Sequence, residues 1–241
     1  MVSSSISASN CCPFRFLGLI ATVFILLAAA SITAHEPSKK KIASLKRAVV
    51  IVTTYDDQGK PLLQGSGFFI TPERIVTNLH VISQATAIRI QTFAGEAFPV
   101  QRIIATDAGA DLALLQLHEP CPNTTTLQVE GKAPSEGESI LLLSNAQGSY
   151  WKVTPGRVGR MWQVASMGTR MQITAGVFPG SSGSPVLNHH GQVVGIAVMH
   201  IRSDDKLNFA VPAESLKVLQ ALADATDNRA TAVANQHGQQ H

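Results

Sequence analysis

Residues 48 to 59 read Ala48-Val49-Val50-Ile51-Val52-Thr53-Thr54-Tyr55, followed by Asp56-Asp57-Gln58-Gly59. The first eight residues are almost all β-branched or aromatic, and the next four favour turns. Read as a strand closed by a turn, this unit recurs along the chain. GSGFFI at 65–70, a short run at 74–77, AIRIQT at 87–92, and runs at 100–106 and 112–117 follow it. A proline-bearing stretch at 119–137 interrupts the series. Further runs then occupy 139–144, 151–158, 171–174, 185–187, 193–200 and 207–211. Evenly spaced short strands with turn residues between them predict an all-β barrel or sandwich. About six strands fall on each side of the break, which fits two six-stranded antiparallel barrels at about 45–118 and 137–212. One helix is predicted, over 212–223, with Leu216, Val218, Leu219 and Leu222 on one face. The tail at 229–241 is expected to be disordered, since its last seven residues, NQHGQQH, have no apolar content.

Composition excludes several classes of function. Apolar residues make up 45% of the 241 and charged residues 15%, enough to build a core and unlike a disordered polyelectrolyte. A net charge of +3, spread along the chain, with aromatics at 5%, supplies neither a phosphate-binding stripe nor a stacking platform, so no nucleic-acid partner is expected. Two of the three cysteines, Cys11 and Cys12, stand in the N-terminal segment, which leaves Cys121 as a lone thiol. A disulfide scaffold and a cysteine zinc site are therefore excluded. His189-His190 fall in a turn sequence and His237 and His241 in the tail, so no metal set and no cofactor is read.

Residues 1–34 form a targeting segment. Arg15 is the only charged residue before the apolar block LGLIATVFILLAAA, and small residues follow that block. Two outcomes fit. One is a cleaved signal peptide; the other is a signal anchor through residues 16–34, about long enough to tether the chain to a membrane. In both, residues 35–228 form a domain outside the cytosol, periplasmic or secreted. Asn123-Thr124-Thr125 is a glycosylation sequon that matters only in a eukaryotic secretory route.

Three segments carry chemistry: Thr77-Asn78-Leu79-His80-Val81-Ile82, Asp111-Leu112-Ala113-Leu114-Leu115, and Pro179-Gly180-Ser181-Ser182-Gly183-Ser184-Pro185. In chain order they offer an imidazole, a carboxylate and a hydroxyl among glycines. A serine hydroxyl becomes a nucleophile near neutral pH only beside a base. Imidazole suits that task, and a buried carboxylate fixes its tautomer.

These segments resemble the chymotrypsin-like (trypsin-like) serine proteases, in particular the Deg/HtrA-like bacterial branch. Gly65-Ser66-Gly67-Phe68-Phe69-Ile70, Asp107 ahead of Asp111, Gly191-Gln192-Val193-Val194-Gly195-Ile196 and Asn208-Phe209-Ala210-Val211-Pro212 extend the match over about residues 45–215. The resemblance implies a fold of two six-stranded β-barrels. It also implies a triad of His80, Asp111 and Ser182, with the N–H groups of Gly180 and Ser182 as the oxyanion hole. The pocket for the side chain before the scissile bond would involve Val177, Phe178, Ile196, Ala197 and Val198. None is acidic, so cleavage after Lys or Arg is not expected. The partners implied are protein or peptide substrates, taken as unfolded or loop segments. Ser181 stands where the family usually has Asn, and Ser184 where it usually has Gly. The 29 residues after Pro212 are too few for a PDZ module. Two other classes stay open, an inactive protease-like peptide-binding module and a membrane-tethered scaffold. The same chemistry would also open esters.

Overall fold

Val49–Tyr55 is strand β1, and both of its faces are covered. Val50 and Val52 point into one barrel, while Val49 packs among residues of both barrels. A strand buried on two sides must be apolar at successive positions, which explains the unbroken run at its start. Fully burying each Val or Ile is worth about 1.5–3 kcal/mol. In this computed structural model, residues 38–146, 149–165, 167–198 and 207–238 are described.

The N-terminal barrel continues with β2 (Pro61–Phe69), β3 (Arg74–Asn78), β4 (Ala87–Gln91), β5 (Ala97–Asp107) and β6 (Leu112–Leu117). It closes in the order β1-β2-β3-β6-β5-β4, every pairing antiparallel. The second barrel holds β7 (Ser139–Ala146), β8 (Ser149–Val164), β9 (Gly168–Ile173), β10 (Pro185–Leu187), β11 (Val193–Val198) and β12 (Asn208–Pro212). It closes in the order β10-β11-β12-β9-β8-β7. The expected fold of two six-stranded antiparallel barrels is the one observed.

Each barrel has its own apolar interior. Val50, Phe69, Ile75, Ile90 and Leu115 fill the first, and Ile140, Leu142, Met171, Val186 and Ala197 fill the second. A third cluster joins the barrels through Val49, Phe68, Leu114, Leu143, Ile196 and Val211. β6 and β11 therefore share the logic of β1. Their alternate residues serve a barrel interior and the junction, so both read as continuous apolar runs.

The helices depart from expectation. α1 (Lys39–Lys46) is capped by Ser38, whose hydroxyl accepts the Lys41 N–H, and it buries Leu45 in the junction. α2 (Leu79–Ile82) is a single turn after β3. α3 (Ala213–Gly238) is longer than the expected 212–223 and takes in most of the stretch assigned to a disordered tail. Frequent Ala and the lack of Pro or Gly before Gly238 sustain it. Its buried face is Leu216, Leu219 and Ala223, at helical spacing. Val218 and Leu222 are exposed, so the expected four-residue face is narrower than the sequence pattern suggested. Arg74 on β3 pairs with Asp224 of α3 at 2.5 Å. Among the described residues no helix is long and apolar enough to cross a membrane. The segment expected to target or tether the chain lies outside them, as do the last three residues of the tail.

Candidate active site

β3 ends at Asn78, and the chain turns at once into α2, which places His80 at the barrel rim. β3 pairs with β6 so that Asn78 faces Leu112, which brings Asp111 alongside. Asp111 has φ 60°, a left-handed conformation that costs a non-glycine residue about 1–3 kcal/mol and needs strong support. Four contacts supply it. The Asp111 carbonyl accepts the Leu79 N–H at 3.1 Å and the Asn78 side-chain amide at 2.9 Å. Oδ1 accepts the His80 N–H at 2.9 Å, and Oδ2 lies 2.6 Å from His80 Nδ1. An ionised carboxylate only accepts, so Nδ1 carries the proton and Nε2 is left free as a base.

Behind this pair lies Arg170 on β9, 1% exposed. Its guanidinium donates to the carbonyls of Thr169 at 3.0 Å and Gly109 at 3.5 Å, and Nε has no partner among the described residues. Burial lowers its pKa from the ordinary value, and the charges of Asp111 and Asp107 oppose that shift. Arg170 shares a cavity of about 230 Å³ with Asp107, Gly109 and Ser215.

The third segment makes two turns in series. Ser181 N–H donates to the Phe178 carbonyl at 2.8 Å, with Pro179 and Gly180 (φ 93°) between them. Proline followed by a residue of positive φ defines a type II turn. Ser184 N–H donates to the Ser181 carbonyl at 3.0 Å across Ser182 and Gly183 (φ 86°), a second turn of the same kind. Gly183 cannot be replaced, because a Cβ there would stand 2.1 Å from the Ser66 carbonyl. Neither the Gly180 nor the Ser182 N–H has an acceptor among the described residues. Ser181, the departure from the family pattern, uses its hydroxyl to accept the Phe178 N–H at 3.2 Å. Ser184 Oγ is buried without a hydrogen-bond partner among the described residues.

His80 and Asp111 are thus joined directly, and Gly65 lies between the Val81 side chain and the Ser182 turn. A Cβ added at Gly65 would lie 2.8 Å from Val81, next to His80, and 3.2 Å from the Ser182 carbonyl. No hydrogen bond among the described residues links Ser182 Oγ to His80. Nucleophile and base commonly stand further apart before substrate binds.

The residues expected around the substrate separate. Val177 and Ala197 pack into the second barrel, and Ile196 and Val198 into the junction. Phe178 is 51% exposed, its ring under Lys152. Val177 N–H donates to Asn208 Oδ1 at 3.0 Å. A roomier cavity of about 580 Å³, lined by Arg47, Phe93, Glu96 and Cys121, touches neither His80 nor Ser182.

Sequence reasoning gave no role to Ser66, Asn145 or Arg170. Ser66 stood inside a quoted motif, and its partners are remote in sequence. Arg170 left only the weak signal of a lone cation beside the buried Met171 and Ile173.

Two closed antiparallel barrels, with a His–Asp pair and a Gly-x-Ser-Gly turn where they meet, have the architecture of chymotrypsin-like proteases. The chain belongs to the trypsin-like peptidase domain family, which matches residues 65–196. The periplasmic serine endoprotease DegP of Escherichia coli K12 is 28% identical over 171 residues, covering 67% of this chain and 36% of DegP. The anti-sigma-I factor RsgI9 of Acetivibrio thermocellus is 31% identical over 180 residues, covering 74% of this chain and 25% of RsgI9. The active form of the Rv3671c protease from Mycobacterium tuberculosis superposes with a TM-score of 0.67 at 21% identity, over 78% of this chain and 88% of that one. The chain spans only 25% and 36% of the length of the two relatives compared by sequence.

Proposed function

We propose that this chain is an exported serine endopeptidase that cleaves unfolded or loop segments of proteins through an acyl-enzyme intermediate. The observation that carries the reading is the double grip of Asp111 on His80; the approach of Gly65 to both Val81 and the Ser182 carbonyl supports it. Ser182 Oγ attacks the scissile carbonyl carbon and passes its proton to His80 Nε2. Asp111 stabilises the imidazolium that forms. The carbonyl oxygen becomes an oxyanion and accepts from the N–H groups of Gly180 and Ser182, which have no acceptor among the described residues. As the intermediate collapses, the C–N bond breaks and the leaving amine takes the proton from His80. Water then repeats the sequence on the acyl-enzyme, with His80 again as base, and releases the new carboxylate and the serine. The substrate binds extended, as an added strand on a barrel edge. Of the five residues expected around the substrate only Phe178 is exposed, and it carries no charge, so cleavage after Lys or Arg is not expected. Residues 1–34 direct the domain out of the cytosol.

Digestion of a peptide library by residues 35–241, with Ser182→Ala as control, tests the reading. Cleavage by the parent and none by the control supports it. A folded parent that binds peptides without cutting them identifies an inactive binding module instead.

A further inference from the structure

Ser66 lies between Gly65 and Gly67 on β2, is fully buried, and uses every polar atom it has. Its N–H donates to the Ser182 carbonyl at 2.8 Å. Its hydroxyl donates to the Gly180 carbonyl at 2.8 Å, across 114 residues of sequence. Its carbonyl accepts the Thr77 hydroxyl at 2.7 Å. The direction of the Ser66 hydroxyl is forced. Asn145 N–H donates into the same oxygen at 3.0 Å, so the single hydroxyl proton goes to Gly180. Asn145 is itself held, by its amide to the Val50 carbonyl at 2.9 Å and by the Trp151 N–H at 2.9 Å.

We propose that Ser66 is a positioning residue for the oxyanion hole, holding the carbonyls of Gly180 and Ser182 so that the N–H groups of the same two residues point at one place. The inference rests on the serine-endopeptidase reading. The peptide planes explain how it works. The plane joining residues 180 and 181 is fixed at both ends, its carbonyl by Ser66 Oγ and its N–H by Phe178. The plane joining 182 and 183 is fixed likewise, its carbonyl by the Ser66 N–H and its N–H by the Ala197 carbonyl at 2.9 Å. The two planes that carry the free N–H groups alternate with these. Two donors on a glycine-rich turn are therefore held still by contacts on its opposite edge. The flanking glycines allow the approach. A Cβ at Gly65 would meet Val81 at 2.8 Å, and one at Gly67 would meet the Val76 carbonyl at 2.8 Å. Oxyanion stabilisation depends on donors that need no reorganisation during reaction, so a loosened turn loses rate and not substrate affinity.

The test compares the full-length chain with S66A and S66T, measuring kcat and KM on one peptide substrate and affinity for a peptide boronic acid, which forms a tetrahedral anionic adduct on Ser182. S66A is expected to lose about 10- to 100-fold in kcat with KM within about twofold, less than or near the loss from deleting a donor outright. Boronate affinity falls in parallel, and S66T, which keeps the hydroxyl, recovers most of both. If S66A does not fold by circular dichroism, S66C takes its place, since a thiol fills the site but donates weakly. Unchanged kcat and boronate affinity in the folded variant, or a loss confined to KM, overturns the proposal and leaves the protease reading standing. A wild-type chain that neither cleaves the peptide nor binds the boronate removes both.

Discussion

One carboxylate grips His80 twice: Asp111 Oδ1 accepts the His80 backbone N–H at 2.9 Å and Oδ2 meets the ring Nδ1 at 2.6 Å. The backbone bond places the residue and the ring bond selects its tautomer. In Asp111→Asn the amide can still meet His80, but it no longer requires a proton on Nδ1. Turnover is expected to fall on the order of 10⁴-fold while the fold persists. Steady-state kinetics alongside circular dichroism check both halves. Loss of the fold would show that Asp111 serves structure first.

Gly183 leaves no room for a side chain. Its φ is 86°, and an added Cβ would lie 2.1 Å from the Ser66 carbonyl and 2.6 Å from the Thr77 hydroxyl. Gly183→Ala should abolish proteolysis and lower stability by at least about 1–3 kcal/mol from backbone strain, before the clash is added. Urea denaturation measures the stability change. A variant as stable and as active as the parent would refute the turn geometry.

Arg170 is expensive to keep buried. It is 1% exposed, with Nε unpartnered and one of its two carbonyl contacts at 3.5 Å. A buried charge carries a desolvation cost that an apolar chain of similar volume does not. Arg170→Met is therefore expected to melt at or above the temperature of the parent. Its turnover should drop several-fold, because the loop that carries Asp111 loses the Arg170 contact to the Gly109 carbonyl. Thermal melts and kinetics on one preparation separate the two effects. A destabilised but fully active variant would assign Arg170 to packing.

Cys121 is 3% exposed, and burial, with a smaller push from Glu96, raises its thiol above the ordinary value of 9.0. The unfolded chain therefore loses this proton at lower pH than the folded one. Stability is unaffected below pH 9.0 and declines as pH rises from there towards the folded value. Unfolding free energy measured from pH 8 to 10.5 should fall less steeply in Cys121→Ala. Parallel curves for the two proteins would contradict the shift. The native thiol should also react slowly with thiol reagents at pH 8 and rapidly in denaturant.

The fold was legible where one physical demand acted alone. β1, β6 and β11 are buried on two faces, and that demand writes itself as unbroken apolar runs. α3 was legible in its first turns, but its extent was not. Val218 and Leu222 look like core residues and are exposed, because only a narrow stripe of the helix meets the barrels. α1 was missed because Lys39, Lys40 and Lys41 read as a charge run, and its one anchor, Leu45, gains meaning only from the junction it enters. β8 runs from Ser149 to Val164, beyond the expected 151–158. Its register slips between Val158 and Met161, and that irregularity broke the alternation that marks a strand. At the site, the expectation of His80, Asp111 and Ser182 rested on local motifs around each of them. Ser66 and Arg170 were not, since their roles depend on Gly180 and on the loop carrying Asp111, which only folding brings near.

Labelling the purified chain with a fluorophosphonate probe, and locating the adduct by mass spectrometry, tests the central claim most directly. The account predicts a single adduct on Ser182 that forms near neutral pH and is absent in Ser182→Ala and in His80→Ala, with both variants folded. An unlabelled folded chain, or an adduct that forms as readily in His80→Ala as in the parent, would contradict it.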